Sequence, residues 1–110
     1  MKQFNNGDEL LLVLEALSNG QRLKILAILS GGKQYVSQLA RELGMSRPLL
    51  YLHLQKLEGA GLLTSHLELL ESGKSAKYYE LIPFDFPMNE TIIAQLAPSL
   101  TIKKKSERKD

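Results

Sequence analysis

The chain contains no cysteine, which excludes disulfides, thiolate metal sites and thiol redox switches. It has no apolar run approaching the roughly 18 residues that a membrane-spanning helix needs. Its first residues, MKQFNNGD, offer neither the apolar core nor the small-residue cleavage site of a signal peptide. A cytoplasmic protein with no membrane partner is therefore expected, and Asn89-Glu90-Thr91 is a chance match to the glycosylation pattern. Glycine-rich phosphate loops are absent, and no nucleophile, base and orienting group can be assembled. An enzyme is not expected. His53 and His66 have too few companion ligands to suggest a metal, so the reading calls for no metal and no cofactor.

A strong excess of positive charge is missing as well. The net charge is +2, but the last eight residues, KKKSERKD, carry five bases and two acids, which leaves residues 1–102 at −1. A role on nucleic acid must then be argued from where the bases sit, not from their sum.

What is present is a series of short elements with clear ends. Asp8 precedes the apolar run Leu10 to Leu17 and is the expected N-cap of a first helix, with Glu9 suiting its dipole. That run is apolar nearly all the way round, so the helix needs a second partner besides its own core. A second helix, QRLKILAILS, sets Leu23, Ile25, Leu26, Ile28 and Leu29 against polar Arg22 and Lys24, and Gly31-Gly32 ends it. Tyr35-Val36 is a short extended piece. Ser37 is the expected cap of a third helix, QLAREL, with Leu39, Ala40 and Leu43 on one face. Gly44 suits a left-handed helix end. Ser46 then caps a fourth helix, and Pro48 in its first turn lacks only a hydrogen that would have had no partner.

Beyond Gly59 and Gly61 the period changes. LLTSHLELLE, the turn ESGKS and AKYYELI predict strand, tight turn and strand. A last helix is predicted from about Met88 or Asn89 to Ala97, with Ile92, Ile93 and Leu96 on one face and Pro98 ending it. The fold expected is mainly α with a small β-wing: helix, helix, short strand, helix, turn, helix, β-hairpin, helix. This is a winged helix-turn-helix occupying residues 1–98, followed by a basic, disordered tail over 99–110.

The turn is more specific than the order of elements. A DNA-binding helix-turn-helix needs a small residue where its helices cross, glycine four residues later, and apolar residues to lock them. Ala40, Gly44, and Leu39, Leu43, Met45 and Leu50 fill those slots. Three blocks then resemble the ArsR-type winged-helix transcriptional regulators. LSNGQRLKILAIL is similar to that family's opening signature, including its arginine at Arg22. SRPLLYLHLQKLEGAGLL resembles the recognition-helix block, and SGKSAKYYEL the basic, aromatic wing. The resemblance covers about residues 8–82. It implies a homodimeric repressor that binds double-stranded DNA, with its first and last helices forming the dimer interface. The thiolate pair that family members use to sense metal has no counterpart near Val36 to Leu39.

A helical step of about 100° per residue divides the fourth helix into faces. Leu50, Leu54, Leu57 and His53 point to the core. Pro48, Tyr51, Leu52 and Gln55 point outward, with Arg47 and Lys56 flanking them. Arg47, Pro48, Tyr51, Leu52 and Gln55 are the candidate base contacts of a recognition helix at 47–58: arginine suits guanine, glutamine suits adenine, and leucine suits a thymine methyl. Ser37, Arg41, Ser46 and Lys56, with Lys74 and Lys77 of a wing at 70–78, are the candidate backbone contacts. Leu10, Leu11, Leu14, Ile92, Ile93 and Leu96 are the candidate dimer contacts. Two other readings stay open. Leu52 stands where the family usually offers a polar residue, which would suit a protein-interaction module. The tail could also support weakly specific nucleic-acid binding on its own.

Overall fold

A computed structural model describes residues 4–102. The order of elements is α1 (Gly7–Leu17), α2 (Gly20–Leu29), β1 (Gln34–Tyr35), α3 (Val36–Leu43), α4 (Arg47–Gly59), β2 (Leu63–Leu69), β3 (Ser75–Leu81) and α5 (Glu90–Leu96). A 3₁₀ turn, Ala97–Ser99, extends α5. The winged helix-turn-helix expected from the sequence is the fold observed.

Helix ends are set by local chemistry, not always by the residue expected. The Asn6 side chain, not Asp8, caps α1 by accepting from the Glu9 amide at 2.9 Å. Asn caps as well as Asp, and Asp8 is engaged elsewhere: its carboxylate accepts from the amide and hydroxyl of Thr101 at 2.9 and 2.7 Å. At α3 the cap is Tyr35 rather than Ser37, which lies inside the helix. Gln38 reaches back to accept from the Tyr35 amide at 2.9 Å. Asn19 and Asn89 cap α2 and α5 through the amides of Arg22 and Ile92.

Both ends of the helix-turn-helix close in the same way. Gly44 has φ of 62°, its amide donates to Arg41, and Met45 donates back to Ala40 at 3.0 Å. Gly61, at φ 79°, repeats the pattern after α4, with Leu62 donating to Leu57. Each left-handed glycine turns the chain so that the next apolar residue falls back onto the helix it has just left. Met45 and Leu62 are accordingly buried.

The core runs between α4 and everything else. Leu50, Leu54 and Leu57 are fully buried against Ile25, Leu39 and Val13. The three strands form an antiparallel sheet ordered β1-β3-β2, which leaves β2 at an edge. The short extended piece expected at Tyr35-Val36 is the strand Gln34–Tyr35, and it joins the predicted hairpin through Tyr35 opposite Tyr78 and Gln34 opposite Tyr79. Tyr79 and Leu63 face the core. On the other face, Tyr35, Tyr78 and His66 form a cross-strand ring ladder.

Ser99 and Thr101, assigned by the sequence reading to the tail, are bonded to α1. The Gly7 amide donates to Ser99 Oγ at 2.7 Å, and Thr101 meets Asp8 as above. The remaining tail, from residue 103, lies outside the described residues.

Candidate nucleic-acid interface

The site is built on α4. Ser46 is extended, φ −67° and ψ 151°, and its hydroxyl accepts from the Leu49 amide at 3.4 Å. Pro48 follows in the first turn, where an amide hydrogen would have had no acceptor. The turn at Gly44 and the buried stripe Leu50, Leu54 and Leu57 fix this helix in place, so the opposite face is presented outward. Arg47, Pro48, Leu52, Gln55 and Lys56 are exposed, Leu52 at 60%. Tyr51, expected to face outward, is half-buried instead. The wing packs over it, and the Lys77 ammonium lies 5.9 Å from its ring centroid and 5.6 Å from that of Tyr79. Lys77 thus stitches β3 to α4 through aromatic faces.

Arg47 and Tyr51 share a groove of about 630 Å³ with Ser37 at the start of α3 and with Leu67, Leu70 and Lys77 of the wing. Four candidate residues from three elements are therefore brought together. Gln55 and Lys56 are not among them. They line a separate depression with Leu12, Glu15 and Ala16 of α1. Arg41, Ser46 and Lys74 are exposed outside both. Of the dimer candidates, Leu10 is buried, Leu11, Leu14 and Ile93 are exposed, and Ile92 and Leu96 are half-buried. Leu10, Leu11, Leu14 and Ile93 line an apolar depression of about 160 Å³ between α1 and α5.

Titratable groups around the site are held by identifiable causes. Tyr35 donates to Glu68 at 2.5 Å, and this bond keeps its phenol protonated beyond the usual range. Burial raises Tyr79, against the opposing effect of Lys77. Burial, and then the charge of Arg22, lower His53.

Arg22 is what the sequence reading missed. Read there only as a polar position of α2, it is 9% exposed. Its Nε donates to Ala16 O at 2.7 Å, Nη2 to Glu15 O at 3.1 Å, and Nη1 lies 3.2 Å from His53 Nδ1. The exposed wing leucines, Leu67 and Leu69, were missed too. Among the described residues, no group of three or more His, Asp or Glu side chains is placed to hold a metal. No described helix is long and apolar enough to cross a membrane.

Comparison with known proteins points the same way. The model of the arsR family of bacterial regulatory proteins matches residues 19–65, from the cap of α2 to the start of the wing. An uncharacterized HTH-type transcriptional regulator of Methanocaldococcus jannaschii is 44% identical over 82 residues, covering 74% of this chain and 85% of that protein. The crystal structure of a possible transcriptional regulatory protein (fragment 1–100) from Mycobacterium bovis superimposes with a TM-score of 0.60 at 30% identity, over 83% of this chain and 86% of that one. A solution structure from the same organism is a homodimeric winged helix-turn-helix DNA-binding domain of a possible ArsR-family regulator. It is 28% identical, with a TM-score of 0.60, over 83% and 74% of the two chains.

Proposed function

The chain belongs to the arsR family of bacterial regulatory proteins, as a DNA-binding transcriptional regulator, and from that premise we propose that it is a homodimeric, sequence-specific repressor. In this reading α4 enters the major groove of double-stranded DNA, Arg47 and Leu52 contact base edges, and Tyr51 meets a base edge or phosphate from beside the wing. Pro48 and Gln55 flank them. Ser37, Arg41, Ser46, Lys56, Lys74 and Lys77 hold the sugar-phosphate backbone, which sets register without carrying sequence. The observation that carries the reading is the exposed first half of α4, locked between the Gly44 turn and the leucine stripe with Arg47 in the groove shared with the wing.

Two copies are supported by the apolar depression between α1 and α5, and by the homodimeric state of the Mycobacterium bovis domain. A repressor of this kind answers to a signal other than thiolate-bound metal, because the chain has no cysteine.

Selection of bound duplexes from a random pool tests the proposal with the full chain. One sequence family should emerge, preferred over random duplex by several hundred-fold or more, on the order of the lower end for specific regulators. Absence of any preferred sequence would sink it. One observation favours a second reading. Leu52 stands 60% exposed at the centre of the face, which suits a protein surface as well as a thymine methyl. Retention of every sequence preference by Leu52→Ser would favour a protein-facing role for that residue.

A further inference from the structure

Strand β2 is an edge that nothing blunts. It is the outer strand of the sheet, and its pairing with β3 runs from Leu63 to Leu69 in one unbroken register. Edges of this kind are ordinarily guarded by proline, lysine or a bulge. The strand LTSHLEL has no proline and no lysine, and its constant register contains no bulge. Its leucines are bare as well, Leu67 at 74% exposed and Leu69 at 78%.

The ladder decides which backbone groups face outward. Leu70 donates to Lys74 and Ile82 donates to Leu62, so the even-numbered positions of β2 exchange hydrogen bonds with β3. The N–H and C=O groups of Ser65, Leu67 and Leu69 therefore point away from β3, along the open edge. Their side chains share one face of the sheet, since they pair with Tyr79, Lys77 and Ser75. The edge is thus a template for one more antiparallel strand.

We infer that this strand is β2 of a second copy of the chain, paired about a two-fold axis through Leu67. In that register Leu67 meets Leu67 of the second copy and Leu69 meets its Ser65. On the opposite face Glu68 meets its His66, an acid opposite a base. Centring the axis on Glu68 instead would set two carboxylates against each other, and centring it on His66 would part the two Leu67 side chains. Three hydrogen-bonded pairs contribute about six backbone bonds. The area is small beside the roughly 1,200 Å² of a stable interface, so the association is weak and reversible. It shares no residue with the depression between α1 and α5. A dimer formed there keeps two open β2 edges, and the contact joins such dimers to one another.

The chain has no cysteine, so single thiols introduced into the full chain report the pairing. Facing residues of a hydrogen-bonded pair lie about 5.5 Å apart between Cα atoms, within reach of dibromobimane, which fluoresces on bridging two thiols. Leu67→Cys should cross-link to itself. Leu69→Cys should not, because its two copies stand four positions out of step, roughly 13 Å along the strand. Mixing Leu69→Cys with Ser65→Cys should restore the cross-link, since those two positions face each other. In sedimentation velocity the wild type should form species larger than the dimer as concentration rises. Leu67→Lys should remove them by setting two ammonium groups on the axis. That side chain is exposed, so the variant should keep the wild-type thermal midpoint. No cross-link at Leu67→Cys would overturn the inference and leave the edge to DNA or to a foreign peptide. Equal cross-linking at Leu67→Cys and Leu69→Cys would mean random collision and overturn it too, as would larger species that persist in Leu67→Lys. Failure of the α1–α5 dimer is distinguishable, because monomers would still pair through β2 and give the Leu67→Cys cross-link.

Discussion

Arg22 Nη1 lies 3.2 Å from His53 Nδ1, and through that contact the last turn of α1 is tied to the inner face of α4. The same guanidinium takes the carbonyls of Glu15 and Ala16, two groups near the C-terminus of α1. Carbonyls there lack i+4 donors within the helix and carry the negative end of its dipole, so a buried cation is well placed, and Glu15 O also accepts from the Ser18 amide at 3.2 Å. A donor aimed at Nδ1 requires that nitrogen to be unprotonated, which places the proton of neutral His53 on Nε2. Helices α1 and α4 are thus joined by a single side chain from a third helix.

Arg22 should tolerate little change. Lysine carries its charge on one nitrogen and cannot span the two carbonyls and the imidazole in a fork. Arg22→Lys should therefore leave buried acceptors unmet and cost about 2–4 kcal/mol. Urea denaturation of wild type and variant checks this through the midpoint, with the slope unchanged. A loss within a few tenths of a kcal/mol would show that the guanidinium contacts contribute little.

The His53 contact makes a pH prediction with a definite sign. Its folded-state value is lowered from 6.5, by burial first and by Arg22 second. The unfolded chain therefore takes up this proton before the folded one does. The stabilisation is complete above 6.5 and is lost as pH falls from there through the lowered folded value. His53→Gln can still accept from Arg22 through its amide oxygen but does not titrate. Unfolding free energies measured across this window should fall less steeply for the variant, and parallel curves would remove His53 as the cause.

A second tether holds the C-terminal segment against α1, and it turns on a missing side chain. A Cβ on Gly7 would sit 2.5 Å from Leu96 O and 2.8 Å from Leu100 Cγ. Gly7→Ala should push α5 and the 3₁₀ turn away, at a cost of about 1–3 kcal/mol. It should also weaken self-association, since Leu11, Leu14 and Ile93 line the depression formed there. Sedimentation velocity at matched concentrations reads the second effect. The Asp8 carboxylate, lowered from 3.8 by its two bonds to Thr101, holds the same segment. That contribution is present above 3.8 and is lost as pH falls through the lowered value. The Thr101 amide resonance should titrate with it in the wild type and not in Asp8→Asn. Wild-type dimers from Gly7→Ala would detach the α1–α5 contact from self-association.

Which features were legible in the sequence follows from how far apart their partners lie. Gly44, Ser46, Pro48 and Ala40 act within a turn of themselves, so the helix-turn-helix could be read from residue type and spacing. The exposure of Pro48, Leu52 and Gln55 followed from the helical period for the same reason. Tyr51 departs from its expected face because the wing covers it, through a lysine 26 positions away that the period cannot anticipate. The burial of Arg22, read only as a polar position of α2, was hidden for an equivalent reason: its acceptors are in α1 and α4. Asp8 looked like a cap because its true partner, Thr101, lies 93 residues on. Gln55 was placed on the correct side of α4, but only the packing of α1 shows that it sits beside Leu12 and apart from Arg47. The wing leucines were read as strand alternation, and nothing local marked that their face would remain open.

Arg47 and Lys74 separate the two kinds of contact that the proposed interface contains. Both are exposed cations, so net charge cannot distinguish them, but they sit on different elements. Arg47 occupies the first turn of α4, where a guanidinium can meet the two acceptors of a guanine edge. Lys74 is in the wing turn, where an ammonium meets phosphate as a point charge. Arg47→Ala should cost about 1–3 kcal/mol against the selected duplex and relax discrimination at one base position. Against random duplex the loss should be small. Lys74→Ala should weaken binding to all duplexes alike and lower the salt slope by about one. Titrating both variants against the selected duplex, its single-position mutants and random DNA makes the comparison complete. If both lose affinity equally across every duplex, α4 is touching backbone only, and base reading must be sought on another surface.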